Sequence, residues 1–342
     1  MATFSIVSTL LEVAKHAARS LTQRTRASRR QPLPAAIDAE RHAIATADAG
    51  VLSYYEDTSG EGRPLVLLHG IHAAGSAFEM KSLFQEFRHE RAVYALDLPG
   101  FGFSQRGDMT YAVQTYVHAI EHLLRHVAVE SPHGSADVVA LSLSSEYAAA
   151  VAAELPELVH SLVFISPTGF ERMTFGDPAR RQPPRIVKSL AALGGEWLYD
   201  ALVTRPSLSR YWAKSFHGRV DRGLVAYSYA TTHQPGAPYA PLAFAKGQLF
   251  PEGDPKLAYA RVEAPVLVLY DEDPYVKFDG LRAFVSRAPN YQAERVTRTR
   301  GLPHIEARDR CVRLMRAFWE RLDAEANTDV RQATSARHYA ST

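Results

Sequence analysis

The chain has 342 residues, 46% of them hydrophobic and 22% charged, and a formal net charge of +2. This composition is ordinary for a globular protein, and so small a net charge argues against nucleic acid as a partner. The single cysteine, Cys311, excludes a disulfide within the chain and favours a cytoplasmic location. No apolar run approaches the roughly 18 residues of a membrane-spanning helix.

Residues 1–45 form a segment with a different composition. Apolar residues recur at helical spacing between Val7 and Leu21, and Glu12 is the only acid before residue 36. The basic residues of this stretch are Lys15, Arg19, Arg24, Arg26, Arg29 and Arg30. Three interpretations are open: a helix packed on its own domain, which we favour slightly, a basic amphipathic helix on an anionic membrane, or a transit peptide.

Peripheral membrane contact through this segment is a testable prediction. Basic residues near an anionic surface contribute about 1 kcal/mol each, screened by salt. Co-flotation of the protein with anionic vesicles should therefore fall when residues 1–30 are deleted. Equal flotation of the full-length and truncated proteins would favour the packed helix.

Short aliphatic runs alternate with helical patterns from residue 46 onward. The runs are VLSYY (51–55), PLVLL (64–68), AVYAL (92–96), DVVAL (137–141), SLVFI (161–165) and PVLVLY (265–270), with a weaker strand near 293–296. Runs of this kind, separated by helices, are typical of a parallel sheet buried on both faces. We therefore predict an α/β core over 46–170 and 256–322, with the ligand beyond the carboxyl ends of the strands.

The stretch 171–255 lacks strand character and is rich in aromatic residues. It begins with a proline-broken linker, DPARRQPPR, and lies between two core strands. We predict that it forms a helical cap over the strand ends, with an aromatic surface that suits a hydrophobic ligand. From 323 to 342 the chain is polar and aperiodic, which predicts a disordered tail.

The core run VVAL leads into a serine cluster, and an alanine-rich helical pattern follows. Ser142 is the first serine of this cluster, so it lies where a sharp strand-to-helix turn would present its hydroxyl above the sheet. Such a turn usually has glycine two residues before and after the nucleophile, and Ala140 and Ser144 stand there instead. Both are small enough to keep the strand and the helix close. Ser142 is therefore our candidate nucleophile, and the alternative is an ordinary polar turn residue.

A serine nucleophile also needs hydrogen-bond donors for the developing oxyanion. The motif LLHGIH (67–72) follows the preceding core strand and would bring the backbone N–H of Ile71 beside the nucleophile, with that of Leu143. We predict that these two donors form the oxyanion hole. Of the two histidines in the motif, His69 is interpreted as a turn residue bonded to the backbone and His72 as part of the pocket wall.

The acid and the base of a catalytic triad should follow later strands. VLVLYDEDPY supplies Asp273, which precedes a proline and so leaves the strand in an extended conformation, with Asp271 as the reserve candidate. After the last strand, RTRGLPHIEARD supplies His304 as the candidate base. The chain order Ser142, Asp273, His304 is then nucleophile, acid, base.

Five motifs together resemble the α/β-hydrolase fold superfamily with an inserted helical cap, over about residues 50–322. They are PLVLLHG, ALDLPGFGFS, ALSLSSEYA, PVLVLYDEDP and GLPHIE. The resemblance implies a Ser-His-Asp triad and a structural role for Asp97 in DLPGFG. The sequence departs from the family pattern in three places: the turn at Ser142 lacks both glycines, the acid loop lacks a glycine, and the family's catalytic histidine would fall at Gly301 rather than at His304.

Members of this superfamily with aspartate at the turn are dehalogenases and epoxide hydrolases, whereas serine implies acyl chemistry. We therefore predict a serine hydrolase, esterase-like or lipase-like, that acts on an ester or related acyl bond of a hydrophobic small molecule or lipid. Hydrolysis of a C–C bond in ring-cleavage products is the first alternative. The displaced histidine keeps a second one open, a catalytically impaired protein that binds a ligand without turning it over. No cofactor and no metal is expected.

Overall fold

Most of the apolar runs form strands of one eight-stranded sheet. The structure, a computed structural model, describes residues 32–107, 109–171, 195–196 and 199–340. The strands are β1 (Glu40–Ala45), β2 (Val51–Asp57), β3 (Gly62–Leu68), β4 (Arg91–Asp97), β5 (Ala136–Leu141), β6 (Val159–Ile165), β7 (Val266–Glu272) and β8 (Tyr291–Arg300). Their order across the sheet is β1-β2-β4-β3-β5-β6-β7-β8.

The sheet is mostly parallel. Only the pairs β1 with β2 and β2 with β4 are antiparallel, and the other five pairs are parallel. The central strands β5 and β6 are buried on both faces, which explains why their sequences are continuous apolar runs rather than alternating ones. The edge strand β1 instead alternates exposed and half-buried residues near its end. The predicted α/β class is confirmed.

Helices cover both faces of the sheet. They are α1 (Lys81–Phe87), α2 (Val113–Glu130), α3 (Ser144–Glu154), α4 (Arg205–Lys214), α5 (Arg222–Thr232), α6 (Tyr239–Ala245), α7 (Pro255–Tyr259), α8 (Leu281–Val285), α9 (Pro303–Glu306) and α10 (Arg308–Ala340), with short 3-10 turns at Ala77–Met80 and Pro156–Leu158. Tyr116 of α2 stacks on Tyr147 of α3 in one core, with 5.3 Å between ring centroids. Phe87 of α1 meets Trp319 of α10 edge-to-face at 5.3 Å in the other. Successive residues of β3 alternate between the two cores, so the sheet separates them.

A buried aspartate fixes the loop after β4. The Asp97 carboxylate accepts hydrogen bonds from the backbone N–H of Ala77 at 2.8 Å and of Phe103 at 2.9 Å. Gly102 has a φ of 49° and lies so close that an added Cβ would stand 1.9 Å from the Asp97 carboxyl carbon. Asp97 thus joins the loops after β3 and β4, which is the structural position that the resemblance implied.

The chain between β6 and β7 contributes the helices α4, α5 and α6. Arg106 connects them to the core, because its guanidinium donates to the Gly102 carbonyl at 2.6 Å and to the Thr231 carbonyl of α5 at 2.8 Å. Trp212 of α4 donates from Nε1 to the Ser228 hydroxyl of α5 at 2.9 Å. These helices occupy the second half of the predicted cap, whereas residues 172–194 lie outside the described residues.

Two boundaries differ from the sequence prediction. Glu40–Ala45 belongs to the sheet as β1 rather than to the N-terminal segment, of which residues 1–31 lie outside the described part of the chain. The tail predicted from residue 323 is instead a continuation of α10 as far as Ala340. Five of the 18 residues from 323 to 340 are alanine, which has the highest helix propensity, but the stretch has no periodic apolar face for a pattern to detect. No helix formed by the described residues is both long and apolar enough to cross a membrane.

Candidate active site

The turn after β5 holds Ser142 in an uncommon backbone conformation. Its φ is 57°, in the left-handed region, and its N–H donates to the Ile165 carbonyl of β6 at 2.9 Å. Strain of this kind costs roughly 1–3 kcal/mol and persists where the surrounding structure enforces it. The half-buried side chain lines a cavity at the carboxyl edge of the sheet, which we call the Ser142 cavity.

The next two serines have structural hydrogen bonds instead. Ser144 Oγ donates to the His69 carbonyl at 2.6 Å, and Ser145 Oγ donates to the Ala140 carbonyl at 3.1 Å. Both residues are fully buried. Only Ser142, of these three, lines the Ser142 cavity, so it is the serine available to a ligand.

Two backbone N–H groups accompany Ser142 in this cavity. Ile71 and Leu143 both line it and are 4% and 1% exposed. Neither N–H donates a hydrogen bond to another residue that the structure describes. Buried N–H groups without a partner are rare, and Leu143 caps the positively polarised N-terminal end of α3. Both donors are therefore available for an oxyanion.

A buried glutamate holds the loop that carries Ile71. Glu79 accepts hydrogen bonds from the N–H groups of Gly70 at 3.1 Å and Ser76 at 3.3 Å, and from His72 Nε2 at 2.8 Å. Burial opposes ionisation, but the His72 ring and these donors together lower the pKa of the Glu79 carboxyl. Sequence analysis missed Glu79; the available signal was the S-x-x-E capping-box spacing at 76–79.

His72 forms part of the wall of the Ser142 cavity. Its ring lies 5.4 Å from that of Tyr211 and 5.2 Å from that of Trp212, between centroids. Nδ1 accepts a hydrogen bond from the Ala74 N–H at 3.2 Å, and Nε2 donates to Glu79. Because both ring nitrogens are engaged, His72 would have to break a hydrogen bond before it could accept a proton.

Asp273 lies in the same cavity as Ser142. Its Oδ1 accepts hydrogen bonds from the backbone N–H of Tyr275 at 2.7 Å and of Val276 at 2.9 Å. Its Oδ2 has no hydrogen-bond partner among the residues described. Burial raises the pKa of the Asp273 carboxyl above its ordinary value. The structure therefore holds an oriented carboxylate whose second oxygen is free for a ligand.

The reserve candidate, Asp271, has a different environment. Its side chain is 3% exposed and accepts hydrogen bonds from Arg295 Nε at 2.7 Å and from the Thr299 N–H at 3.0 Å. Burial opposes ionisation, but the Thr299 and Arg295 donors lower the pKa of the Asp271 carboxyl. Asp271 thus joins β7 to β8, and it does not line the Ser142 cavity.

We predict that the two aspartates respond oppositely to amidation. Asp271→Asn should lower the free energy of unfolding by about 1–3 kcal/mol, because it removes a charged acceptor from two donors. Asp273→Asn should raise it by about 0.5–2 kcal/mol at neutral pH, because Asn keeps the Oδ1 acceptor while removing a desolvated charge. Urea unfolding of both variants measures these changes. Equal destabilisation of the two would contradict a ligand-facing role for Asp273.

Gly301 faces the free oxygen of Asp273. A Cβ added to Gly301 would stand 3.3 Å from Asp273 Oδ2. The Gly301 N–H donates to the Glu272 carbonyl at 2.8 Å, which fixes this backbone against β7, and its φ is 72°. The position at which the family pattern expects the catalytic histidine therefore adjoins the acid but carries no side chain.

The structure does not bring His304 together with Ser142 and Asp273. His304 is 0% exposed, lies in α9 and is not among the residues lining the Ser142 cavity. Its Nε2 donates to the Glu79 carbonyl at 3.0 Å. Pro303 begins a helical turn directly after Leu302, and this turn carries His304 into the interior. Its position does not support the role of general base predicted for it.

The buried imidazole of His304 predicts a pH dependence of stability. Burial lowers its pKa to about 4, whereas an unfolded histidine titrates near ~6.5. Below about pH 6.5 the unfolded chain binds a proton that the folded protein does not bind. The free energy of unfolding therefore falls as the pH decreases from 6.5 towards 4. The loss attributable to His304 is about 3 kcal/mol. Unfolding curves of wild type and His304→Gln between pH 7 and pH 4 should diverge by this amount, and parallel curves would contradict it.

The remaining walls of the Ser142 cavity are largely aromatic and apolar. They include Tyr211, Trp212, Phe244, Phe250, Tyr275 and Val276. Tyr211 of α4 stacks on Tyr275 of the acid loop, with 5.5 Å between ring centroids. The cavity has a volume of about 480 Å³, enough for a small acyl compound. The described His, Cys, Asp and Glu residues form no group of three that could hold a metal ion.

Comparison with known proteins agrees with this architecture. A relative named pimeloyl-[acyl-carrier protein] methyl ester esterase, from Nitrosospira multiformis, is 32% identical over 177 residues, which are 47% of this chain and 65% of that protein. The uncharacterized hydrolase YugF of Bacillus subtilis is 30% identical over 123 residues, 35% of this chain and 43% of that protein. The chain thus spans less than two thirds of either relative. The solved structure of a meta-cleavage product hydrolase, CumD, superposes with a TM-score of 0.62 at 19% identity, covering 82% of this chain and 98% of that one.

The family model that matches the chain describes the alpha/beta hydrolase family, and it covers residues 65–314. This range begins in β3 and ends in α10, so it contains the Ser142 turn, the acid loop and the turn at Gly301. The chain belongs to the alpha/beta hydrolase family.

Proposed function

We propose that the protein is a serine hydrolase that attacks the acyl carbon of an ester through Ser142. The observation that carries this proposal is a strained serine that shares one cavity with Ile71 and Leu143, whose buried N–H groups have no partner among the described residues. This combination serves acyl transfer, because the nucleophile and the oxyanion donors must surround one carbonyl.

The proposed first step forms a bond between Ser142 Oγ and the acyl carbon. The carbonyl oxygen then carries a negative charge and accepts hydrogen bonds from the N–H groups of Ile71 and Leu143. One such donor contributes about 3–4 kcal/mol to the transition state. Asp273 is the proposed acid of the site, where its carboxylate would orient a base. The source of that base is a separate question, because His304 does not line the cavity.

The proposed substrate is a hydrophobic small molecule or lipid with an acyl bond. Aromatic side chains of α4 and α6, such as Trp212 and Phe244, support this class, because they present apolar surface to the cavity. The name of the Nitrosospira multiformis relative, a methyl ester esterase, supports an ester over an amide.

A fluorophosphonate probe and a panel of p-nitrophenyl esters of graded chain length test the proposal. We expect a stoichiometric adduct on the peptide containing Ser142, and a turnover that peaks at a medium acyl chain. An adduct on another residue, or none under any condition, would refute the proposed nucleophile.

Two alternatives are favoured by specific observations. The fold resembles that of a meta-cleavage product hydrolase, so C–C bond hydrolysis is one alternative. Turnover of vinylogous diketones, but not of esters, would support it. The absent side chain at Gly301 favours the other, a ligand-binding protein without turnover. That alternative would be supported by saturable binding of an ester without cleavage, in a protein whose Ser142 the fluorophosphonate does not label.

A further inference from the structure

The free oxygen of Asp273 identifies an unfilled position in the Ser142 cavity. Oδ1 is held by two backbone N–H groups, so the carboxylate has a fixed orientation. Oδ2 is directed to the backbone of Gly301, where an added Cβ would stand 3.3 Å away and 3.6 Å from the Cβ of Ser215. A carboxylate oxygen is a strong hydrogen-bond acceptor, and no described residue donates to this one.

The charge of the cavity favours a nitrogen at this position that becomes protonated during the reaction. Three carboxylates line it, those of Glu79, Glu171 and Asp273, and no Lys or Arg is among the described lining residues. Glu79 accepts a hydrogen bond from His72, with 2.8 Å between Oε1 and Nε2. The remaining negative charge lies in a partly desolvated space, where a protonated nitrogen gains more than in water.

The aromatic walls complement the same ligand. Tyr211 and Tyr275 stack near Asp273, and the edge of Trp212 meets the Tyr211 ring at 5.0 Å between centroids. Faces of tyrosine and tryptophan attract organic cations, and the attraction increases when water is excluded. A metal ion would find too few ligands among the described residues, whereas a nitrogen base that becomes cationic when it takes up a proton suits both the carboxylate and the aromatic surroundings.

No histidine among the described residues offers Ser142 a free ring nitrogen in this cavity. Both nitrogens of His72 are engaged, and His304 does not line the cavity. A nucleophilic serine without a base is weak at neutral pH. A ligand bound over Gly301 could donate an N–H to the Asp273 carboxylate. If that ligand also had a lone pair, it would supply the missing base.

We propose that the general base of this site is a basic nitrogen of a small-molecule ligand, an imidazole or an amine, bound over Gly301 between the Asp273 carboxylate and the Ser142 hydroxyl. This inference rests on the proposed function. One N–H of the ligand donates to Asp273 Oδ2, and the lone pair on nitrogen faces Ser142. The nitrogen belongs either to the acyl substrate itself or to a second molecule, and the chemistry is the same in both cases.

The proton and bond changes balance without another reactant. The Ser142 proton moves to the ligand nitrogen as the bond from Oγ to the acyl carbon forms, and the oxyanion accepts hydrogen bonds from Ile71 and Leu143. The tetrahedral intermediate then collapses, the ester C–O bond breaks, and the alcohol leaves with the proton from nitrogen. Water attacks the acyl-serine by the same route, giving the acid and free Ser142. Asp273 remains ionised throughout.

Titration with imidazole tests the inference on the intact protein. Hydrolysis of p-nitrophenyl butyrate at pH 7.5 should increase about 10²-fold or more at saturating imidazole, as a positioned base contributes. The increase should saturate, should be absent in Ser142→Ala, and should become a weak linear dependence in Asp273→Asn. 1-Methylimidazole, which has a lone pair but no N–H for Asp273, should stimulate much less.

A second arm separates the two sources of the nitrogen. If the substrate carries it, 2-(1H-imidazol-4-yl)ethyl butyrate should be cleaved at least about 10-fold faster than its non-basic analogue 2-(1H-pyrrol-3-yl)ethyl butyrate without added imidazole. If a second molecule carries it, the two esters should be equal and imidazole should stimulate both.

The outcomes distinguish the inference from the proposed function. The proposal of an external base would be overturned if hydrolysis rose linearly with imidazole, if the rise persisted in Ser142→Ala, and if the two esters were cleaved equally fast. Full activity that imidazole leaves unchanged would also overturn it, while leaving the serine hydrolase intact. Absence of fluorophosphonate labelling with and without imidazole would instead refute the nucleophile, and with it the proposed function.

Discussion

Replacement of Ser142 by alanine is expected to abolish covalent labelling by fluorophosphonates and to reduce ester hydrolysis to the background of the buffer. Ser142 lines the cavity together with Ile71 and Leu143, whose N–H groups have no hydrogen-bond partner among the described residues. In complete triads, loss of the serine costs on the order of 10⁶ in turnover. Because the described residues place no free imidazole in the Ser142 cavity, we expect a lower starting activity and a loss on the order of 10³ or more when imidazole is present.

Ser144→Ala and Ser145→Ala are the matched controls for this experiment. Each removes a buried hydroxyl that donates to a backbone carbonyl, so each should destabilise the fold by about 1 kcal/mol. Labelling and hydrolysis should nevertheless remain, since neither hydroxyl reaches the Ser142 cavity. Intact-mass spectrometry, followed by mapping of the modified peptide, measures the adduct. An adduct of equal yield in Ser142→Ala would assign the nucleophile to a different residue.

The sheet could be predicted from the sequence because parallel strands buried on both faces are continuous apolar runs. The observed ends of β3, β5, β6 and β7 differ from the ends of such runs by no more than two residues. β1 was not predicted, because its residues are exposed or half-buried. Its sequence ERHAIA therefore has neither an apolar run nor a regular alternation of apolar and polar residues. The end of α10 escaped for a related reason, since a polar helix has propensity without a hydrophobic pattern.

The candidate site divides in the same way. Ser142, Ile71 and Asp273 follow strands of a parallel sheet, and the carboxyl ends of such strands meet at one edge, so their convergence could be predicted from spacing alone. The position of His304 could not, because it depends on whether a loop is extended or turns into a helix at Pro303. The role of Glu79 depends on tertiary contacts with Gly70 and His72, which no local pattern encodes.

Replacement of Gly301 by histidine is expected to raise kcat/KM for p-nitrophenyl butyrate by about 10²–10⁴-fold, the contribution of a positioned general base. The added Cβ would stand 3.3 Å from Asp273 Oδ2. In an imidazole, Nδ1 lies two bonds beyond Cβ, so Nδ1–H can donate to Asp273 while Nε2 extends into the cavity that Ser142 lines. The backbone at 301 has a φ of 72°, and a side chain there costs roughly 1–2 kcal/mol of stability.

The gain should depend on Asp273 and should replace the effect of added imidazole. Gly301→Asn is the matched control, because asparagine tolerates a left-handed backbone about as well as histidine but cannot act as a base. The double variant Gly301→His with Asp273→Asn should lose most of the gain, since its imidazole has no carboxylate to fix its tautomer and orientation. In Gly301→His, external imidazole should no longer stimulate hydrolysis, because the position over residue 301 is filled. A Gly301→His protein that folds, as circular dichroism would establish, and yet is no more active than Gly301→Asn would show that this position is not where the site lacks its base.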